Sequence, residues 1–171
     1  MPEVRKPEPW LRGRAENLPA VHLAVIHALE LTLENIDHWC IGLTQDDFHA
    51  RPYSLPSVAF HIRHIARSID RLLTYAEGNQ LTQGQLAALK SESEPTPSMQ
   101  TILDEFYLSL NRATARIRGL ALVDLELPRA VGRQQLPTTV GGLLVHIADH
   151  TQRHTGQAIT TAKLLLALRK S

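Results

Sequence analysis

An all-α fold, a four-helix bundle with long connections, is what these 171 residues predict. Two observations carry the expectation. Four segments repeat apolar residues at intervals of three and four, the period of an amphipathic helix, and no segment alternates convincingly at the period of two that a half-buried strand requires. The second, third and fourth segments also open on residues that start helices.

Residues 1–17, with prolines at 2, 7 and 9, read as an extended N-terminal arm that Trp10 and Leu11 could dock. The first helix follows Val25, Leu29, Leu33, Ile36, Cys40 and Leu43. The second follows Val58, Ile62, Ile65, Ile69, Leu72 and Ala76, with Ser57 as its N-cap and Gly78 as its stop. The third runs Met99, Ile102, Phe106, Leu110, Ala113, Ile117 and Leu120, opening at Thr96-Pro97, where proline's missing N–H costs nothing. The fourth starts near Thr138 or Thr139, and its seam reads Val140, Leu143, Ile147, His150, His154, Ala158, Thr161 and Leu165. The connections, residues 44–56, 79–97 and 121–137, exceed the usual short links and permit crossovers, so spacing alone leaves the helix order open. "TQGQLAALK" (82–90) offers a short extra helix. No repeat or domain-splitting linker interrupts the chain, which reads as a single domain over 1–171.

Composition narrows the function. Eighteen Lys and Arg against seventeen Asp and Glu give a formal charge of +1, too weak a field to gather nucleic acid. The single cysteine, Cys40, excludes an internal disulfide and a cysteine-based zinc cluster, and its place in an apolar pattern makes it a core filler. No apolar run approaches the ~20 residues of a membrane span, and the opening "MPEVRKPEPW" has no secretory apolar stretch. A soluble cytoplasmic protein without membrane or nucleic-acid partners is expected.

The histidines carry the chemical argument. "HIADHTQRHTGQ" (146–157) stacks His146, His150 and His154 on one helical face, and the last two occupy the apolar seam. A buried imidazole without a partner costs a few kcal/mol, and two of them one turn apart compound that cost. A divalent metal resolves it, because histidines four apart can offer nitrogens to one ion. The second helix supplies His61 and His64 in "SVAFHIRHIARSIDR", whereas His22, His27, His38 and His49 are scattered. A His-x3-His pair facing a histidine of another helix leaves coordination positions open, as catalytic sites do. The H-E-x-x-H pattern of metalloproteases is absent, and so is a repeated Glu-x-x-His of di-iron proteins.

With "EPWLRG" (8–13), "SVAFHIRHIARSIDRLL" and "AVGRQQLPTTVGGLLVHIADHTQRHTGQA" (130–158), the chain resembles the DinB-like (DinB/YfiT) superfamily of metal-dependent proteins over nearly its whole length. The resemblance implies a bundle of up-down-down-up connectivity, a homodimer, and a three-histidine site for nickel, zinc or a related divalent ion. It places ligands at His150 and His154 and, by distance from Ser57-Val58, at His64. The helical wheel sets His61 nearer the seam than His64, but a site near a bundle mouth favours the less buried ring. His61, His146 and Gln157 then become groups that orient ligands or touch substrate. Gly156 reads as a close-packing residue, Asp149 as lying off the ligand face, and Arg129 and Arg133 as loop residues able to anchor a carboxylate or a thiol cofactor.

The resemblance further implies thiol-dependent sulfur transfer or hydrolysis on a small-molecule substrate, with a low-molecular-weight thiol as co-reactant in the first case. Bound metal would acidify a water or a thiol. Two other classes stay open: a metal-binding stress or sensor module without turnover, and a structural helical dimerisation domain.

Overall fold

The computed structural model describes residues 6–13, 17–40, 42–92 and 98–169. Six α-helices and one short hairpin follow in the order α1 Ala20–Trp39, α2 Gln45–His49, α3 Val58–Ala76, α4 Gln83–Lys90, α5 Met99–Gly119, β1 Pro128–Val131, β2 Leu136–Thr139 and α6 Val140–Leu168. The four long helices are the four expected from the apolar period. No helix among the described residues is long and apolar enough to cross a membrane.

Local chemistry sets the boundaries. Ser57 Oγ accepts the Phe60 N–H at 3.1 Å and starts α3, and Gly78 at φ +83° ends the turn that follows it. Thr139 Oγ1 accepts the Gly142 N–H at 3.0 Å and starts α6. The N-cap of α5 is Ser98; the expected Thr96-Pro97 start lies outside the described residues. The first helix stops at Trp39, short of Leu43. Gly42, at φ +85°, turns the chain there, so Leu43 is buried from the following loop rather than from the helix. Thr44 and Asp47 then form a reciprocal capping box that starts α2, which buries Phe48 completely.

β1 and β2 pair antiparallel, Pro128 opposite Thr139 and Val131 opposite Leu136, inside a connection that period-two reading left without strands. Four-residue strands with a proline in each are too short to show alternation. In the N-terminal arm, Pro9 is buried while Trp10 and Leu11 stay exposed. Arg12 fastens the arm instead, to Glu34 at 2.7 Å.

Side-chain bonds fix the helix directions. Gln152 donates to Ala28 O at 2.7 Å and Arg169 to Gly42 O at 3.0 Å, so α1 and α6 run parallel. Thr161 meets Pro56 O while His150 meets His64, so α3 opposes α6. Ser109 donates to Ala66 O and Arg116 to Asp70, so α5 runs with α3. Tyr107 on Asp37 and His22 on Leu120 O show that α5 opposes α1. The connectivity is up-down-down-up. One apolar cluster containing Leu29, Ile62, Ile65, Phe106 and Ile147 joins all four long helices. Thr32, Gln152 and Thr155 form a bonded polar layer between α1 and α6.

Candidate metal centre

The antiparallel α3–α6 contact brings the two histidine pairs face to face. One nitrogen from each of His64, His150 and His154 lies within 4.8 Å of the others, and all three rings are half-buried. The His64 and His154 ring centroids are 4.5 Å apart, and those of His150 and His154 are 4.6 Å apart. Phe60 stacks on His64, its centroid 5.5 Å away.

Hydrogen-bond polarity shows which nitrogens are free. His64 Nδ1 lies 2.6 Å from Glu92 Oε2, so it carries the proton and leaves Nε2 as a bare lone pair. Ser68 has one hydroxyl proton, which it gives to His64 O at 2.7 Å. Towards His150 Nδ1, 3.4 Å away, Ser68 can therefore only accept, and when His150 donates there its Nε2 is free as well. In these tautomers both Nε2 lone pairs point into the cluster, and the two Nε2 atoms lie 3.3 Å apart. Lone pairs so close repel unless a cation lies between them. Ligands at about 2.0–2.1 Å from a tetrahedral zinc are separated by roughly 3.4 Å. His154 completes the group; its Nδ1 is 3.0 Å from His61 Nδ1, and when it donates there its Nε2 is the free atom.

Electrostatics agree with this arrangement. Burial, with the neighbouring imidazoles, pushes His61, His150 and His154 down to about 4, so these rings are neutral donors at pH 7. Burial alone would raise the Glu92 carboxyl, but the bonds from His64 and Arg71 hold it below the usual range. The donor set and its spacing fit one divalent ion.

Other expected residues meet different fates. His61 is buried and touches His154, as a group orienting a ligand would. His146 is exposed, its ring 5.4 Å from that of His150. Gln157 is exposed and lines an open cleft of about 400 Å³ with Leu55, Pro56, His61, Arg153 and Thr161. That cleft continues the histidine face towards the start of α3. Asp149 pairs with Arg153. Gly156 faces open space rather than a neighbouring helix, because its position on α6 points to solvent. Arg129 donates to Ala76 O and Pro128 O, tying the hairpin to the end of α3, while Arg133 is exposed in the hairpin turn. Cys40 is buried, as its apolar pattern requires.

Sequence reasoning missed Glu92. It lies 28 residues beyond His64 in a connection, and nothing in "SESEPTP" shows which acid turns inward.

Set against the curated proteins and the solved structures, the chain gives no significant match. The model of the DinB superfamily matches residues 28–158, a span that contains all three clustered histidines and most of the bundle. The chain, whose described residues form six α-helices and a hairpin with three imidazoles gathered between α3 and α6, belongs to the DinB superfamily.

Proposed function

We propose that the protein is a metal-dependent enzyme in which His64, His150 and His154 hold one divalent ion, zinc or nickel, beside a cleft that receives a small-molecule substrate. The observation that carries the reading is the pair of Nε2 atoms 3.3 Å apart, each on a ring whose Nδ1 faces an acceptor, a spacing that suits two ligands of one cation. A divalent ion supplies Lewis acidity there, acidifying a coordinated water or thiol. Three donors leave at least one position for that partner.

The chain's own residues perform the rest. Ser68 and Glu92 hold His150 and His64 in the tautomers that expose Nε2, and His61 holds His154. Phe60 covers one face of His64. Arg153 and Gln157 line the neighbouring cleft, where they can bind polar groups of a small molecule. Glu92 is the one carboxylate bonded to the three rings among the described residues, and both its oxygens are engaged, by His64 and Arg71. Among the described residues no carboxylate is therefore left in the cluster to act as general base, which favours sulfur transfer with a low-molecular-weight thiol, or hydrolysis driven by the ion.

Cobalt substitution followed by titration with glutathione, cysteine and simple carboxylates tests the open position. A saturable spectral change with a thiol supports transfer, and a change only with carboxylates and hydroxide supports hydrolysis. Silence towards every ligand would overturn the enzymatic reading in favour of a closed metal-binding module.

A further inference from the structure

We propose that Glu92 is the positioning carboxylate of this centre: it fixes the tautomer of His64 and couples the three-histidine cluster to the docking of α4. The proposal rests on the metal reading for its effect on affinity, but its effect on the imidazole stands without metal.

Glu92 is 5% exposed, two residues beyond the end of α4. A buried carboxylate requires donors, and this one has two at 2.6 Å, Arg71 on Oε1 and His64 Nδ1 on Oε2. Arg63 also donates to its backbone carbonyl, at 3.2 Å. Arg71 alone would complete a structural ion pair. The second oxygen instead meets an imidazole whose opposite nitrogen points at His150. Binding of the Nδ1–H fixes which lone pair enters the cluster.

The three rings are not supported equally. His154 leans on a neutral imidazole and His150 on a hydroxyl at 3.4 Å, whereas His64 leans on a charge at 2.6 Å. Charge-assisted bonds are roughly twice as strong as neutral ones. His64, the sole contribution of α3, is thus the most firmly set.

Its support comes from a helix with little grip of its own. α4 buries none of its residues. Polar anchors hold it to α3: Arg67 on Ala88 O at 2.8 Å and on Ser91 Oγ at 3.0 Å, Gln85 on Asp70 at 2.7 Å, and Glu92 on Arg71 and His64. Linkage makes the coupling reciprocal. Whatever factor docked Glu92 adds to metal affinity, bound metal adds to the docking of Glu92 and of α4 with it.

The test uses Glu92→Gln, whose amide can accept from one of the two donors but not both, and the double variant Glu92→Ala/Arg71→Leu, which removes the buried carboxylate together with its arginine partner. Nitrogen-15 NMR of the metal-free proteins reads the tautomer. His64 should be protonated at Nδ1 in the parent and mixed in both variants. An unchanged Nδ1–H in the variants, or an Nε2–H parent, overturns the proposal. The zinc dissociation constant should rise about 10–100-fold in both variants, and an unchanged constant also overturns it. In the parent, zinc should slow hydrogen exchange at Leu86–Lys90 by a comparable factor, and no slowing refutes the coupling to α4. If the parent binds neither zinc nor nickel, the metal reading fails, and the tautomer measurement alone decides the role of Glu92; if it binds nickel alone, nickel replaces zinc in both measurements. Should Glu92→Gln fail to fold, the double variant decides it.

Discussion

Ser68→Ala separates a structural from a chemical role for one hydroxyl, because the two effects have opposite signs. Ser68 is 5% exposed in the middle of α3, donating to His64 O at 2.7 Å and facing His150 Nδ1 at 3.4 Å. Its bond to the carbonyl one turn back does little for a helix, and alanine has the better intrinsic propensity. The metal-free variant should therefore unfold at the same denaturant concentration as the parent or slightly above it. Metal binding should move the other way. Without the acceptor, His150 loses its preference for the Nδ1–H tautomer, and Nε2 is protonated part of the time. A neutral hydrogen bond contributes about 0.5–1.5 kcal/mol net. At 3.4 Å the lower half applies, so zinc affinity should fall roughly twofold to fivefold. Urea denaturation of the metal-free protein and zinc titration against a competing chelator measure the two quantities. A well-folded variant with unchanged or tighter zinc binding would refute the tautomer argument.

Other consequences are equally concrete. His64→Ala should weaken zinc binding far more than His61→Ala, whose loss should be about tenfold because it acts through His154; competition titrations that give the reverse order would make His61 the ligand. Burial, with some contribution from Asp37, pushes the Cys40 thiol up to about 12, so it should react with a thiol-specific disulfide reagent at pH 8 only after denaturation. The same shift means that the stability Cys40 contributes is complete below pH 9 and is lost as pH rises towards 12, because the unfolded thiol ionises first; denaturation curves between pH 8 and 11 check the sign against Cys40→Ala. Phe48→Ala, at the fully buried residue of α2, should cost about 3–5 kcal/mol and lower Tm by roughly 6–20 °C, and a shift of under 2 °C would mean that α2 does not pack as described.

The long helices were legible because each carries a repeating apolar stripe and three of them a hydroxyl cap, Ser57, Ser98 and Thr139, whereas α1 starts after Pro19 without one. The His150–His154 spacing was legible for the same reason: helical periodicity places side chains without knowledge of tertiary contacts. Choosing between His61 and His64 needed more. The wheel placed His61 deeper, and the structure buries it, yet the ring that shares a cluster with His150 and His154 is His64. Depth along one helix does not determine which neighbour a side chain meets. The hairpin was hidden by strands of four residues, and Gly42 ended α1 before its apolar pattern did. Glu92 was hidden because a connection's inward residue is selected by Arg71 and His64, on another helix, and not by its own sequence neighbours.

The central claim is that three imidazoles between α3 and α6 form one divalent-metal site. Elemental analysis of freshly purified protein, paired with zinc and nickel titration of the stripped parent and of His150→Ala/His154→Ala, tests it most directly. The account predicts about one metal per chain in the parent and none in the double variant, with both chains folded. A metal-free parent that takes up neither added zinc nor added nickel, or a double variant that retains its metal, would contradict it.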